Sequence, residues 1–237
     1  MLEVGYNSHF EVRMETLHCL VTQQIRLVYV SDLHFNKRSE EMGAKILETI
    51  RELKPDIVLL GGDYVDTRSG LRHLDALLDG ISRLSPVFAI AGNHDRFFGI
   101  EAVKQLMLAN KVHWIEGSSE TLLVKGSRLW LDGNTNTTAS EKADVKILCL
   151  HKPIALEVLP VTYHAAFAGH LHGSQCVLWQ TDKGLFPGRW FYKWNRLKAV
   201  IGECHFYISK GLGDTLPIRY NCAKELLVLD LEPTVKV

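Results

Sequence analysis

The chain lacks net charge: 27 Lys and Arg balance 27 Asp and Glu over 237 residues. A neutral molecule has no long-range pull toward a polyanion, so nucleic acid is not the expected partner, and only a local basic patch is left open. No apolar run approaches the roughly 20 residues of a membrane-spanning helix. The N-terminus has neither the basic region nor the apolar core of a signal peptide. The expected location is therefore cytoplasmic, with peripheral contact at the inner membrane surface as the variant to test. The five cysteines (Cys19, Cys149, Cys176, Cys204 and Cys222) are odd in number and form no CxxC pair. That excludes a disulfide framework and predicts reduced, mostly buried thiols. There is no internal repeat, low-complexity tract or convincing linker. The expectation is a single domain over 1–237, with its core at about 25–231.

What is present is an alternation of elements. Ile25 to Val30, Asp56 to Leu60 and Pro86 to Ala91 are apolar, β-branched runs that read as buried strands. Between and after them come helical spacings: Met42, Ile46, Ile50 and Leu53, stopping before Pro55; Leu71, Leu74, Leu77, Leu78 and Ile81; and Val103, Leu106 and Met107. The first half thus alternates β-α-β-α-β-α, the signature of a layered α/β sheet. The second half is strand-rich, with candidates at Thr121 to Val124, Leu129 to Leu131, Val145 to Leu150, Ala165 to Ala168, His205 to Ser209 and Leu226 to Leu231. Asn134 to Ala139 reads as a polar loop, and residues 183 to 198 break the pattern.

Five short motifs fall where these strands end: Asp32-Leu33-His34, Gly61-Gly62-Asp63, Gly92-Asn93-His94-Asp95, His151 and Gly169-His170-Leu171-His172. Residues two apart on a strand point to one face, so Asp32 with His34, and His170 with His172, can reach a common ion. Alone, either pair also fits a surface turn or a backbone-bonded histidine. Asp63 follows two glycines that let the backbone approach an ion closely, and its two oxygens can bridge two metals; alone it also fits a turn aspartate or a helix cap. Asn93 can ligate through its carbonyl oxygen without adding charge. His94 can then lie beside the ions without binding them, with Asp95 orienting its ring; the same residues also fit an Asx turn leading into a helix. His151 alone fits a core or turn histidine, the reading kept for His9, His18, His73, His113, His164 and His205. Five such motifs after five strands, on a sheet type whose ligands bind at the carboxyl ends of strands, override the individual alternatives. The set offers two carboxylates, one carboxamide and four imidazoles, with one further histidine, which is the inventory of a two-metal phosphoesterase centre.

In these motifs the sequence resembles the calcineurin-like metallophosphoesterase family, over residues 25 to 231. The resemblance implies an α/β fold, a four-layer α/β/β/α sandwich with two mixed sheets. It implies one metal held by Asp32, His34, Asp63 and His172, and a second by Asp63, Asn93, His151 and His170, with Asp63 shared and His94 as general acid. The chain is more closely similar to the subgroup carrying Gly-His-x-His-Gly-x-Gln, here Gly169 to Gln175, although Ser174 follows Gly173 where a second glycine is usual. That subgroup also shows a Gly-Leu-Gly stretch followed by Pro and Arg, here Gly211 to Gly213, Pro217 and Arg219.

Two divalent ions offset by Asp32, Asp63 and a bridging hydroxide leave the centre about one unit positive, suited to an anionic phosphate. Oxygen and imidazole donors suit Mn, Fe or Zn better than Mg or Ca, with Mn preferred, and the lack of thiolates argues against a structural zinc site. The expected reaction is hydrolysis of a phosphodiester or pyrophosphate by attack of the bridging hydroxide. Three rival readings stand beside it: a UDP-2,3-diacylglucosamine pyrophosphatase-like hydrolase of lipid A synthesis, a phosphomonoesterase or protein phosphatase, and a non-catalytic scaffold. Arg219, Gly213, Arg189 and Trp190 are candidate substrate-binding residues. The stretch 186–198 interleaves rings with cations, and three readings compete: core packing, a lid over a bulky or lipid-linked phosphate ester, and peripheral membrane contact.

Overall fold

The structure is a computed structural model, and it describes residues 1–137 and 142–234. The polar loop expected at Asn134 to Ala139 therefore lies partly outside the described residues. The strands in chain order are β1 (Leu2–Val4), β2 (Glu11–Cys19), β3 (Ile25–Val30), β4 (Ile57–Leu60), β5 (Val87–Ala89), β6 (His113–Trp114), β7 (Ser119–Val124), β8 (Ser127–Asp132), β9 (Val145–Cys149), β10 (Ala165–Ala168), β11 (Val177–Thr181), β12 (Gly184–Pro187), β13 (Lys198–Ile201), β14 (Cys204–Ile208), β15 (Ile218–Tyr220) and β16 (Glu225–Pro233). The helices are α1 (Glu40–Leu53), α2 (Leu71–Ser82), α3 (Asn93–Phe98) and α4 (Ile100–Ala109).

Two six-stranded mixed sheets carry the fold, in the orders β2-β16-β3-β4-β5-β6 and β13-β14-β10-β9-β8-β7. Strands β3, β4, β5 and β6 run parallel to one another, as do β8, β9, β10 and β14. The period of two sorts their side chains into separate cores. In β3 and β4, Leu27, Tyr29, Ile57 and Leu59 point between the sheets, where they meet Leu129, Leu131, Ile147, Ala165 and Phe167. Their neighbours Val28, Val30, Val58 and Leu60 point outward onto the apolar stripes of α1, α2 and α4, through Ile46, Ile50, Leu74, Leu78, Val103 and Met107. Between the sheets, Phe167 stacks on Tyr29 and Tyr207 with centroids 5.1 and 5.6 Å apart. Helix α1 ends where the sequence predicts, before Pro55. Lys54 takes a left-handed turn there and its amide bonds Ile50 O.

The α/β sandwich with two mixed sheets agrees with expectation, and its fourth layer is thin. The outer face of the second sheet is covered by a 3-10 turn at Leu156–Val158 and by loops rather than by a described α-helix. Trp130 stacks on Tyr163 there, and Trp194 sets its edge against Phe206. Five features lie outside the sequence expectation: the edge strand β2, paired in parallel with β16; the small β1–β15 pair; the short edge strand β6; the β11–β12 hairpin, whose second strand falls in the segment 183–198 expected to be irregular; and β13. Among the described residues, no helix is long and apolar enough to cross a membrane.

Candidate metal centre

Each motif follows the carboxyl end of a parallel strand: Asp32 and His34 after β3, Asp63 after β4, Asn93 after β5, His151 after β9, and His170 and His172 after β10. The two sheets thus deliver side chains to one shared edge. The loops bend sharply to do so. Asp32, His34, Asp63, His170 and His172 all have positive φ, between 46 and 72°. Non-glycine residues rarely take this conformation, and such strain collects at functional sites.

The motif residues supply two groups of ligand atoms, Asp32, His34 and His172 in one and Asp63, His151 and His170 in the other, each with its atoms within 4.8 Å of one another, and His34, Asp66 and His94 form a third such group beside them. Asp63 Oδ2 lies between the groups, 3.2 Å from His151 Nε2 and 3.8 Å from His34 Nε2. Its Oδ1 accepts from the His94 amide at 2.7 Å. Asn93 Oδ1 lies 3.0 Å from His151 Nε2. Asp32 is held by Ser31 Oγ, which donates at 2.6 Å, and by the His170 amide, at 2.9 Å. A Cβ on Gly92 would stand 2.1 Å from Asp63 Oδ1, so only glycine leaves room for that carboxylate.

The donor atoms fit metal ions. His151 Nδ1 faces Gly61 O at 2.9 Å and must donate to it, which turns the Nε2 lone pair toward Asp63 Oδ2 and Asn93 Oδ1. Three electron-rich atoms in contact require either a proton or a cation between them. Without a cation the site takes the proton: burial disfavours the charged ring, but Asp63 and Asp32 push His151 up to about 9. Burial would likewise raise Asp63, yet its hydrogen bond to His151 and the charges of His151 and His34 hold it at about 2. In the other group His34 Nε2 and His172 Nε2 face each other at 3.2 Å, with Asp32 Oδ1 3.6 Å from the latter. Burial above all pulls His172 down to about 4, so its ring is neutral, as ligation requires.

His94 stands at the edge of this cluster, half-exposed, with its ring edge-on to His34. The expected orienting role of Asp95 is corrected. Its carboxylate is buried and accepts from the amides of Asp63, Tyr64 and Gly92 at 2.8, 2.9 and 2.8 Å, so it fastens the β4 and β5 loops together. The carboxylate beside the ring is Asp66, whose Oδ1 is 3.2 Å from His94 Nδ1 and 2.8 Å from His34 Nδ1. Asp66 was missed because it belongs to no motif; the available signal was a second carboxylate three residues after Asp63.

Two substrate-binding expectations are also corrected. Arg219 is buried and spends its guanidinium on Asp214, Gly213 O, Lys210 O and Cys222 O, reaching only the back of His172. Gly213 is packed so closely that a Cβ would lie 2.3 Å from Leu33 O. Both brace the Asp32 loop from behind. Arg189 and Trp190 lie on the turn after β12, where Arg189 Nε donates to Lys183 O and Trp190 packs on Trp179 and Phe186. An open cleft borders Asn93, His151 and His170, with Lys152 and Arg96 on its wall. Arg96 is tied to Glu116, and exposed Lys152 is a second group that sequence reasoning missed.

Residues 25–202 match the sequence profile of the calcineurin-like phosphoesterase family. The chain is 27% identical to phosphodiesterase YaeI of Escherichia coli, over 87% of this chain and 82% of that one. It is 29% identical to the uncharacterized metallophosphoesterase YkuE of Bacillus subtilis, over 97% and 90%. Among solved structures, a dimetal phosphatase from Danio rerio shares the fold with a TM-score of 0.50 at 10% identity, covering 83% of this chain and 93% of that one. The chain belongs to the calcineurin-like phosphoesterase family, and it is a metal-dependent hydrolase of phosphoester bonds.

Proposed function

We propose that the chain hydrolyses a phosphodiester or pyrophosphate, using two divalent ions held by Asp32, His34, Asp63 and His172 on one side and by Asp63, Asn93, His151 and His170 on the other. The observation that carries this reading is Asp63 Oδ2, set between His34 Nε2 and His151 Nε2 with the remaining donors around it. Ions bound there supply Lewis-acid charge and an activated water for in-line attack at phosphorus. Manganese is the preferred ion, with iron or zinc as alternatives, because the donors are oxygens and imidazoles. Neutral Asn93 and neutral histidines leave the centre positive toward an anionic phosphate. His94 gives its Nε2 proton to the departing oxygen, while Asp66 fixes the ring through Nδ1. Asp66 serves His34 in the same way, so one carboxylate aligns a ligand and the acid together. Lys152, on the cleft wall, meets the substrate's second anionic group.

The phosphodiesterase relative supports a diester or pyrophosphate over a monoester. The test is turnover with added Mn²⁺ of an artificial diester, the matching monoester, cyclic nucleotides and a nucleotide-diphosphate glycolipid. Diester or pyrophosphate turnover well above monoester turnover is expected. Monoester preference would favour a phosphomonoesterase, and full metal loading without any turnover would favour a scaffold. Selective cleavage of the glycolipid would identify a UDP-2,3-diacylglucosamine pyrophosphatase-like enzyme.

A further inference from the structure

The β11–β12 hairpin and the turn after it hold large apolar side chains in solvent. Leu178, Trp179, Trp190, Phe191 and Tyr192 are 56, 43, 66, 78 and 54% exposed. The rings are already ordered. Trp179 stacks flat on Phe186 at 5.2 Å, and Trp190 sets its edge against both, at 5.4 and 5.8 Å. The turn is fastened to the hairpin by Asn195 Nδ2, which donates to Leu185 O, and by Arg189 and Arg196, which both donate to Lys183 O. Little conformational freedom is left to lose when this surface meets a partner.

Its charge is one-sided. Residues 177 to 198 contain Lys183, Arg189, Lys193, Arg196 and Lys198 but only one acid, Asp182, in a chain whose charges balance only as a whole, so the remainder carries an excess of acid. Lys198 is committed to Glu15. Lys183 and Lys193 are exposed, and Lys193 lies over the Trp194 ring at 5.0 Å. Trp, Tyr and Phe rings edged by lysine and arginine match the headgroup layer of a bilayer, where rings sit at the apolar boundary and cations meet lipid phosphates. A dry protein seam is instead depleted in lysine.

The platform adjoins the metal-centre loop. Gly188 packs on Ser174, and Leu185 packs on Gly173. Both contacts fall on the two residues that directly follow His172.

The geometry points to this hairpin platform as a docking surface for an anionic lipid bilayer, set beside the metal centre so that a phosphate ester in the headgroup layer comes within its reach. The reach to substrate rests on the phosphoesterase reading above; the docking does not. The test is co-sedimentation of the full chain with vesicles of phosphatidylcholine alone and of phosphatidylcholine with phosphatidylglycerol. It is repeated with the double variant Phe191→Ser, Lys193→Glu, whose residues are exposed and outside the proposed catalytic groups. The wild type is expected to bind the anionic vesicles, to release them as salt rises, and to bind neutral vesicles weakly. The variant is expected to partition about tenfold less or worse, with hydrolysis of a soluble diester unchanged. Equal binding by variant and wild type, or no wild-type binding to anionic vesicles, overturns the proposal. So does a wild-type dimer by light scattering that Phe191→Ser dissociates, which would assign the patch to a second copy. Failure of the wild type on every soluble phosphoester would instead sink the catalytic reading and leave docking standing.

Discussion

Asp63 concentrates the account into one carboxylate, and its surroundings separate positioning from chemistry. The His94 ring meets the proposed ligands only through Asp66 and the edge of His34, and its backbone amide, which alanine keeps, is what bonds Asp63 Oδ1. Replacing His94 with Ala is therefore expected to slow turnover by about 10²-fold or more on a poor leaving group while metal content stays at the wild-type level. Asp66→Asn is expected to do both, weakening metal affinity about tenfold or more and lowering turnover, because it frees His34 and His94 together. An Asp66→Asn protein with normal affinity and normal rate would remove Asp66 from the site. Asp95 makes the opposite case. Asp95→Ala leaves three buried amides without an acceptor, and a loss of about 2–3 kcal/mol in urea unfolding of the metal-free protein is expected. Unchanged stability with a selective fall in turnover would return Asp95 to catalysis. At this scale the sequence displayed the ligand types through their spacing after strands. It hid Asp66 and Asp95 for different reasons. Asp66 has no periodic partner, and the amides that Asp95 holds at Asp63 and Tyr64 lie some thirty residues back along the chain, where spacing carries no information.

At the scale of elements, legibility followed burial. Strands such as β3, β4 and β10 are apolar on both faces, because one face meets the second sheet and the other an outer layer, and such runs stand out in a sequence. Strand β2 lies at an edge, alternates Glu, Arg and Glu with Val, Met and Thr, and keeps Val12 and Met14 exposed, so it resembles a polar loop. Strand β11 hid for the same reason, its side chains after Val177 facing solvent rather than core. His164, between β9 and β10, offers a test of how a strand end is fastened. Its Nδ1 accepts from the Lys146 amide at 3.0 Å, and its own amide donates to Lys146 O. Burial, helped by the charge of Lys146, lowers its pKa from the ordinary 6.5. A base whose folded value is depressed contributes its full stability above the unfolded value, and loses it as pH falls toward the folded one. His164→Asn keeps an acceptor for that amide but does not titrate. The variant is expected to lose less stability than the wild type between about pH 7 and about pH 5, by urea unfolding of metal-free protein. Parallel losses in the two proteins would mean that His164 does not titrate against the fold.

For the whole molecule, balanced charge and two back-to-back sheets leave function to one edge, where the carboxyl ends of five strands from both sheets converge. That convergence explains why five scattered motifs were legible as one site while each alone was ambiguous. It also explains why Arg219 and Gly213 misled. They lie near the ligands in space but behind them, and a sequence shows proximity to a motif without showing which side faces the substrate. The most direct measurement is the metal content of the wild type and of Asp63→Ala after equilibration with Mn²⁺ at micromolar concentration and removal of free ion. The account predicts two ions per chain in the wild type and loss of both in the variant, because each half of the centre gives up the same carboxylate. A folded Asp63→Ala protein that retains both ions, or a wild type that takes up none, would contradict it.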